Sequence, residues 1–205
     1  MAQFAVFAEG IELDLLSELD SKARRSAASK ALNKIARDAR SEAAKRILRQ
    51  VALPASYVQP GNRRLYVSKP ATANSLEARI TAQGRATSLA RFMTGGAKPG
   101  GRGGVTVAVK PGQARFMRRA FVMRLRAGNQ FTDTQFNLGL AIRLRPGESL
   151  QNKLRARKVE NGLYLLYGPS VDQIFRDNSG EGVANDIAPQ TADALAAEFA
   201  RLIGD

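Results

Sequence analysis

Residues 27–39 read Ala-Ala-Ser-Lys-Ala-Leu-Asn-Lys-Ile-Ala-Arg-Asp-Ala and lie at the centre of an apolar ladder with a step of four residues. The ladder consists of Leu19, Ala23, Ala27, Ala31, Ile35, Ala39, Ala43, Ile47 and Val51. Apolar residues spaced four apart lie along one side of an α-helix and form the apolar stripe of an amphipathic helix, and Pro54 ends the predicted helix. The pattern predicts a helix over residues 13–52, with Asp20 as the point where it could break. Because the step does not alternate between three and four, we expect the helix to lie on a sheet rather than in a coiled coil.

Downstream of Pro54, short segments that alternate apolar and polar residues indicate antiparallel strands. The strands expected from this pattern cover residues 63–70, 76–82, 105–109, 116–126, 138–144 and 163–167. Ser170 is an N-cap candidate for a short helix through Phe175, and a second helix is expected from about Pro189 to Ile203. This order predicts an α+β fold: a long N-terminal amphipathic helix packed on an antiparallel β-sheet, with C-terminal helices. We expect residues 1–205 to form a single domain.

Charge is distributed unevenly along the 205 residues, which carry 32 Lys and Arg against 18 Asp and Glu, a net charge of +14. Residues 1–19 and 161–205 have net charges of −4 and −5, whereas residues 20–51 and 52–160 have +7 and +16. A basic middle can contact nucleic acid phosphates. Alternatively, the acidic ends of one copy can meet the basic surface of the next copy. A third interpretation is a solvated basic surface that keeps the protein in solution.

Residues 94–104 hold six of the 18 glycines, which predicts a flexible loop or arm. Gly95 and Gly100 have the spacing of a phosphate-binding loop, but Gly101 stands where its lysine belongs, so a phosphate cradle is not expected. The chain contains neither a zinc-finger motif nor an aromatic RNA-binding signature, so any nucleic acid contact should be nonspecific. The candidate phosphate contacts are Lys98, Arg102, Arg115, Arg118 and Arg119.

Missing residue types exclude several kinds of chemistry. The chain has no His and no Cys, so Ser-His-Asp and Cys-His nucleophiles are impossible. The acidic residues Asp172, Asp177, Glu181 and Asp186 do not have the spacing of a calcium loop. We therefore expect no catalytic residue, no metal and no cofactor. A membrane-spanning helix and a secretory signal are not expected either, since no apolar run is long enough and the start lacks a basic region.

Three stretches, taken in order, resemble the minor tail protein Z family of long-tailed bacteriophages, also called tail completion proteins. They are the basic helix at 27–39, Arg-Arg-Ala-Phe-Val-Met-Arg at 118–124, and Leu-Leu-Tyr-Gly-Pro-Ser-Val at 165–171, which is followed by a C-terminal helix ending in Leu-Ala-Ala-Glu-Phe-Ala-Arg at 195–201. The segment at 165–171 is the most distinctive. The glycine-rich stretch at 94–104 has no counterpart that we can match to the family.

The resemblance implies a virion structural protein that acts at the head-proximal end of the tail after synthesis in the host cytoplasm. Such proteins resemble six-fold rings that stack between the tail terminator or tube and the head connector, around the channel that carries packaged DNA. The five candidate phosphate contacts would then face the channel. The candidate contact between subunits or layers is formed by Tyr167, Gly168, Pro169, Ser170 and Val171.

Two other functions stay open from the sequence. A nonspecific nucleic-acid-binding protein of the host cell would also need a basic middle, and its binding would weaken steeply with salt. A carboxylate-dependent nuclease would have to use the acidic residues between 172 and 186, which have no spacing suited to two metal ions.

Overall fold

A computed structural model describes residues 2–7, 22–101, 103–125, 138–150, 153–176 and 182–204. The chain divides into two compact units. The helical unit contains residues 1–47, 55–84 and 171–205, and the β unit contains residues 48–54 and 85–170. A compact unit is not by itself an independently folding domain. The expectation of a single domain therefore stays a prediction.

Within its described residues, the helical unit combines three α-helices with a three-stranded antiparallel sheet of order β1-β3-β2. Its elements in chain order are β1 (Ala2–Phe7), α1 (Lys22–Gln50), β2 (Leu65–Lys69), β3 (Glu77–Ala82), α2 (Val171–Arg176) and α3 (Val183–Gly204). Phe4 on β1 pairs with Ile80 on β3, which also pairs with Val67 on β2. The Phe4 ring meets the buried Phe175 ring edge to face, with 6.3 Å between their centroids. Strands from the start and the middle of the sequence thus share a core with a C-terminal helix.

Helix α1 confirms the apolar ladder as the buried face of a long helix. Ala31, Ile35, Ala39, Ala43 and Ile47 are all buried. The predicted end at residue 52 was wrong, because α1 ends at Gln50 and the chain bends at the next residue. The predicted start and the break near Asp20 lie outside the described residues.

Polar bonds attach α1 to the segment that carries β2. The buried Arg40 donates from Nε to the carbonyl of Leu65 at 3.0 Å and from Nη2 to the carbonyl of Val58. Asn33 exchanges two 2.8 Å hydrogen bonds with the backbone of Ala71. Burial lowers the pKa of Arg40 from its usual value. These bonds fix the position of the helix beside the sheet, because a buried polar group left without a partner is costly.

The predicted start of the last helix was also wrong, since α3 begins at Val183 and contains Pro189. A proline inside a helix removes one backbone hydrogen bond and normally marks a boundary. Here Val183 and Ile187 are fully buried before it. Apolar burial in the first turns therefore outweighs the local signal of the proline.

The β unit contains two antiparallel sheets, of order β5-β6-β7 and β10-β11-β9-β8, and β4 pairs with β11. Its strands are β4 (Thr87–Ser88), β5 (Met93–Thr94), β6 (Val105–Ala108), β7 (Ala114–Met117), β8 (Ala120–Arg124), β9 (Leu138–Arg143), β10 (Ala156–Glu160) and β11 (Leu163–Gly168). Both sheets contribute to one buried cluster, formed by Ala90, Val105, Val107, Ala120, Val122, Leu140 and Leu166. The α+β class with a long helix, antiparallel sheets and C-terminal helices is confirmed.

The single strand predicted over residues 116–126 was wrong. The chain turns at Arg118 and Arg119, so that β7 pairs with β6 while β8 pairs with β9. The stretch from Phe116 to Arg124 contains no glycine, proline or asparagine, so nothing in its composition marks the turn.

Candidate functional site

The structure brings three of the five candidate phosphate contacts to one groove of the β unit. Arg115 lies on β7, and Arg118 and Arg119 form the turn that follows it, and all three are exposed. Lys98 is exposed on the loop between β5 and β6 and does not line this groove. Arg102 lies outside the described residues. The flexibility expected of residues 94–104 stays a prediction.

The groove, which we name the basic groove, has a volume of about 1200 Å³. Its buried and half-buried apolar residues are called the floor and its exposed cations the rim. Its larger apolar side chains are Leu89, Val107, Val109, Phe116, Met117, Ile142, Leu144, Leu150 and Leu166, of which only Phe116 is exposed. Its cations are Lys110, Arg115, Arg118, Arg119 and Arg155, and Glu148 is the one acidic residue among the described lining residues. The volume lies slightly above the usual range of small-molecule sites.

Arg119 already has a carboxylate partner within the chain. Its Nη1 donates to Glu148 Oε1 at 2.7 Å, and its Nη2 donates to the carbonyl of Arg143 at 2.8 Å. The backbone N–H of Arg145 donates to the other oxygen of Glu148 at 2.7 Å. The bond from Arg119 is the main cause that lowers the pKa of Glu148 to about 2, and the same bond raises the pKa of Arg119. Arg119 therefore contributes less to the positive charge of the rim than Arg115 or Arg118.

Phe116 is the most unusual apolar residue of the groove, because 59% of its surface is exposed. It lies on β7 between the exposed Arg115 and the half-buried Met117. Gly104 approaches its ring so closely that an added Cβ would lie 2.6 Å from Phe116 Cζ. The glycine thus allows the ring to stay beside the backbone of the glycine-rich loop.

The five candidate contact residues at 167–171 have different environments. Tyr167 is half-buried, and it lines the basic groove together with the buried Gly168. Pro169 is half-buried, whereas Ser170 and Val171 are 2% and 1% exposed. Val171 begins α2 in the helical unit. Only Tyr167 and Pro169 therefore have side-chain surface for a partner, and the role of this segment in subunit contacts stays a prediction.

The groove brings together residues from the predicted phosphate contacts and from the predicted subunit contact at 167–171. It also contains residues that neither prediction named. The added residues are Lys110, Phe116, Glu148 and Arg155. Lys110 lies in a turn, in which Gln113 donates its backbone N–H to the Lys110 carbonyl at 3.1 Å. The excess of basic residues in the middle of the chain was the available signal for Lys110 and Arg155.

The sequence of the chain matches a known protein family. The model of the family described as prophage minor tail protein Z matches residues 10–201. The chain belongs to the prophage minor tail protein Z family. The family match confirms the resemblance seen in the sequence, and it reaches across both compact units. A search of curated proteins and a search of solved structures each found no match.

Membership of this family identifies the chain as a phage minor tail protein and a component of the virion, and it points to a structural rather than an enzymatic role. Two of the four acidic residues considered for a nuclease have basic partners in the helical unit. Asp172 accepts a bond from Arg176 Nη2 at 2.6 Å, and Asp186 lies 3.2 Å from Arg46 Nη1. Asp177 and Glu181 lie outside the described residues.

The part of the chain that the structure describes contains no group of three or more His, Cys, Asp or Glu side chains that could hold a metal ion. None of its helices is long and apolar enough to cross a membrane.

Proposed function

We propose that this minor tail protein completes the tail at its head-proximal end and joins the tail to the head. It does so as a subunit of a ring, with six-fold symmetry, that surrounds the DNA channel. One side of the ring meets the tail terminator or tail tube, and the other side meets the head connector. The protein is made in the host cytoplasm and then incorporated at the head–tail junction.

The observation that carries this proposal is the basic rim of the groove in a chain that belongs to a tail protein family. Arg115 and Arg118 are exposed on β7 and the turn after it, and Lys98 is exposed on a separate loop of the same unit. Cations that contact phosphates without reading base edges bind DNA of any sequence. Nonspecific contact is what a channel needs, because every part of the genome passes through it.

The proposal is tested by immunogold electron microscopy of phage particles with an antibody against this chain. We expect gold at the head–tail junction. Gold along the whole tail or at its distal tip would overturn the position, while leaving the family assignment intact. Absence of gold from all particles, together with salt-dependent DNA binding by the purified chain, would favour a nonspecific nucleic-acid-binding protein of the host cell.

A charge-reversal experiment tests the channel-facing residues separately. The double variant Arg115→Glu/Arg118→Glu should lower the yield of infectious phage while the purified chain keeps its melting temperature. Lys158→Glu is a matched control, because Lys158 is exposed on β10 and does not line the groove. Arg119 is left unchanged because Glu148 and a backbone carbonyl bind it. An unchanged phage titre with the double variant would remove Arg115 and Arg118 from the channel.

A further inference from the structure

Strand β7 borders the basic groove and is an edge of its sheet. In the order β5-β6-β7 it pairs with β6 on one side, and within the described residues no strand is paired with its other side. Ala114, Arg115 and Phe116 are exposed, and Met117 is half-buried. An edge strand presents backbone N–H and C=O groups to an incoming chain, so β7 can accept one more strand.

The lining of the groove defines the chemistry of the strand that would fit. Successive residues of a strand point to opposite faces, so an incoming strand can turn one set of side chains to the apolar floor. The other set turns away from that floor. Arg115 lies two residues before Met117 on β7 and shares its face, so the lining cations available to this set are Lys110, Arg118 and Arg155, which lie outside β7. The best complement is an extended segment in which aliphatic and acidic residues alternate.

The chain itself contains such a sequence. Residues 11–15 read Ile-Glu-Leu-Asp-Leu, with strict alternation of aliphatic and acidic residues. They lie within residues 8–20, which hold five acidic residues and no basic residue. This stretch has the composition that the floor and the rim of the groove require.

We propose that residues 11–15 of one copy bind in the basic groove of a second copy, as an added strand beside β7, which requires the helix predicted from residue 13 to begin after Leu15. Ile11, Leu13 and Leu15 cover the apolar floor, and Glu12 and Asp14 pair with cations of the rim. The inference rests on the proposed ring, because a contact between two different surfaces of identical subunits generates a ring when the rotation closes.

The charges of the groove remain compatible with DNA in the channel. Besides Arg119, which is paired with Glu148, the rim carries the four cations Lys110, Arg115, Arg118 and Arg155. Glu12 and Asp14 compensate two of them. In an assembled ring, the rim of each groove would keep a positive charge for phosphate contact. Lys98 would add to this charge from outside the groove.

Peptide binding to the full chain tests the proposal. The probe is a fluorescein-labelled synthetic peptide of residues 8–20, measured by fluorescence anisotropy. The chain carries Ile11→Ser, Leu13→Ser and Leu15→Ser so that its own segment does not compete for the groove. We expect saturable binding, and binding about tenfold weaker when the peptide carries either the same three serines or Glu12→Lys with Asp14→Lys.

A matched pair of variants locates the binding surface. Arg118→Glu in the triple-serine chain should weaken the binding of the peptide by about fivefold, whereas Lys98→Glu should leave it unchanged although the change in charge is the same. Absence of binding by the unmodified peptide would overturn the proposal. Equal binding by the Arg118→Glu variant and its parent would overturn it too, provided that both give the same circular dichroism spectrum.

Sedimentation velocity identifies the copy that supplies the segment. The wild-type chain should form larger species as its concentration rises, and the triple-serine chain should stay monomeric over the same range. A wild-type chain that stays monomeric while the triple-serine chain binds the peptide would place the segment in its own groove and overturn the assignment to a second copy. None of these outcomes depends on gold labelling, so the position in the tail can fail or stand separately.

Discussion

The contact between Gly168 and Phe92 gives a sharp test of how the β unit is packed. An added Cβ at Gly168 would lie 2.5 Å from Phe92 Cε2 and 3.2 Å from both Cδ2 and Cζ. Phe92 is 1% exposed, so its ring cannot move into solvent. Gly168 does not have the positive φ that disfavours side chains, so the effect of Gly168→Ala comes from the close contact and not from backbone strain.

We expect Gly168→Ala to destabilise the protein by about 2 kcal/mol, which is typical of an added methyl group in a packed core. For a chain of this size, that cost lowers the melting temperature by about 4–8 °C. The measurement is thermal unfolding followed by circular dichroism or calorimetry. Pro169→Ala is a suitable comparison, because Pro169 is adjacent in sequence and only half-buried.

A double variant shows whether the close contact with the Phe92 side chain causes the loss of stability in Gly168→Ala. Phe92→Ala alone should cost about 3–5 kcal/mol, because it leaves a cavity in the core. Combined with Gly168→Ala, the new methyl group occupies part of that cavity. The double variant should then be more stable than the sum of the two single costs by at least about 0.5 kcal/mol. Strict additivity, or an unchanged melting temperature for Gly168→Ala, would refute the packing argument.

Three further predictions concern other contacts. Arg40→Met should destabilise the protein by about 2–4 kcal/mol in urea unfolding, because two backbone carbonyls lose a buried donor; a loss below 1 kcal/mol would contradict this. Glu148→Gln should lower the melting temperature at neutral pH through loss of the charged bond to Arg119. Because the folded pKa of Glu148 is about 2, below its usual 4.5, the stabilisation is complete above pH 4.5 and fades as the pH falls toward 2. The difference in melting temperature from wild type should therefore shrink over that interval, and a constant difference would argue against the bond. Gly104→Ala should destabilise by about 1–3 kcal/mol in thermal unfolding, since Gly104 has a φ of +80° and its Cβ would lie 2.9 Å from the Cα of Arg118 and 2.6 Å from the Phe116 ring; full stability would contradict both the strain and the close backbone contact.

Local patterns were sufficient for the elements in which side-chain periodicity matches burial. The ladder with a step of four predicted the buried face of α1, and alternation predicted β3, in which Ala78, Ile80 and Ala82 are buried. Such elements are predictable because the same periodicity that forms the element also buries one of its faces.

Elements without that periodicity were missed. Strand β10 is half-buried only at Ala156 and exposed at its other four residues, so no alternation marks it as a strand. It forms because its backbone pairs with β11. The turn at Arg118 and Arg119 was missed for a related reason, since the pairing of β7 with β6 and of β8 with β9 decides where the chain changes sheets.

The sequence by itself determined the α+β class, the membership of the minor tail protein Z family, the excess of basic residues and the absence of histidine and cysteine chemistry. These properties depend on composition, local periodicity and the order of short stretches. Only the tertiary structure decided which cations share a groove and which of them forms an ion pair with a carboxylate. Arg119 and Glu148 are 29 residues apart, and Tyr167 reaches the same groove from β11. Contacts of that kind depend on strand order and register, which set distances that no local pattern contains.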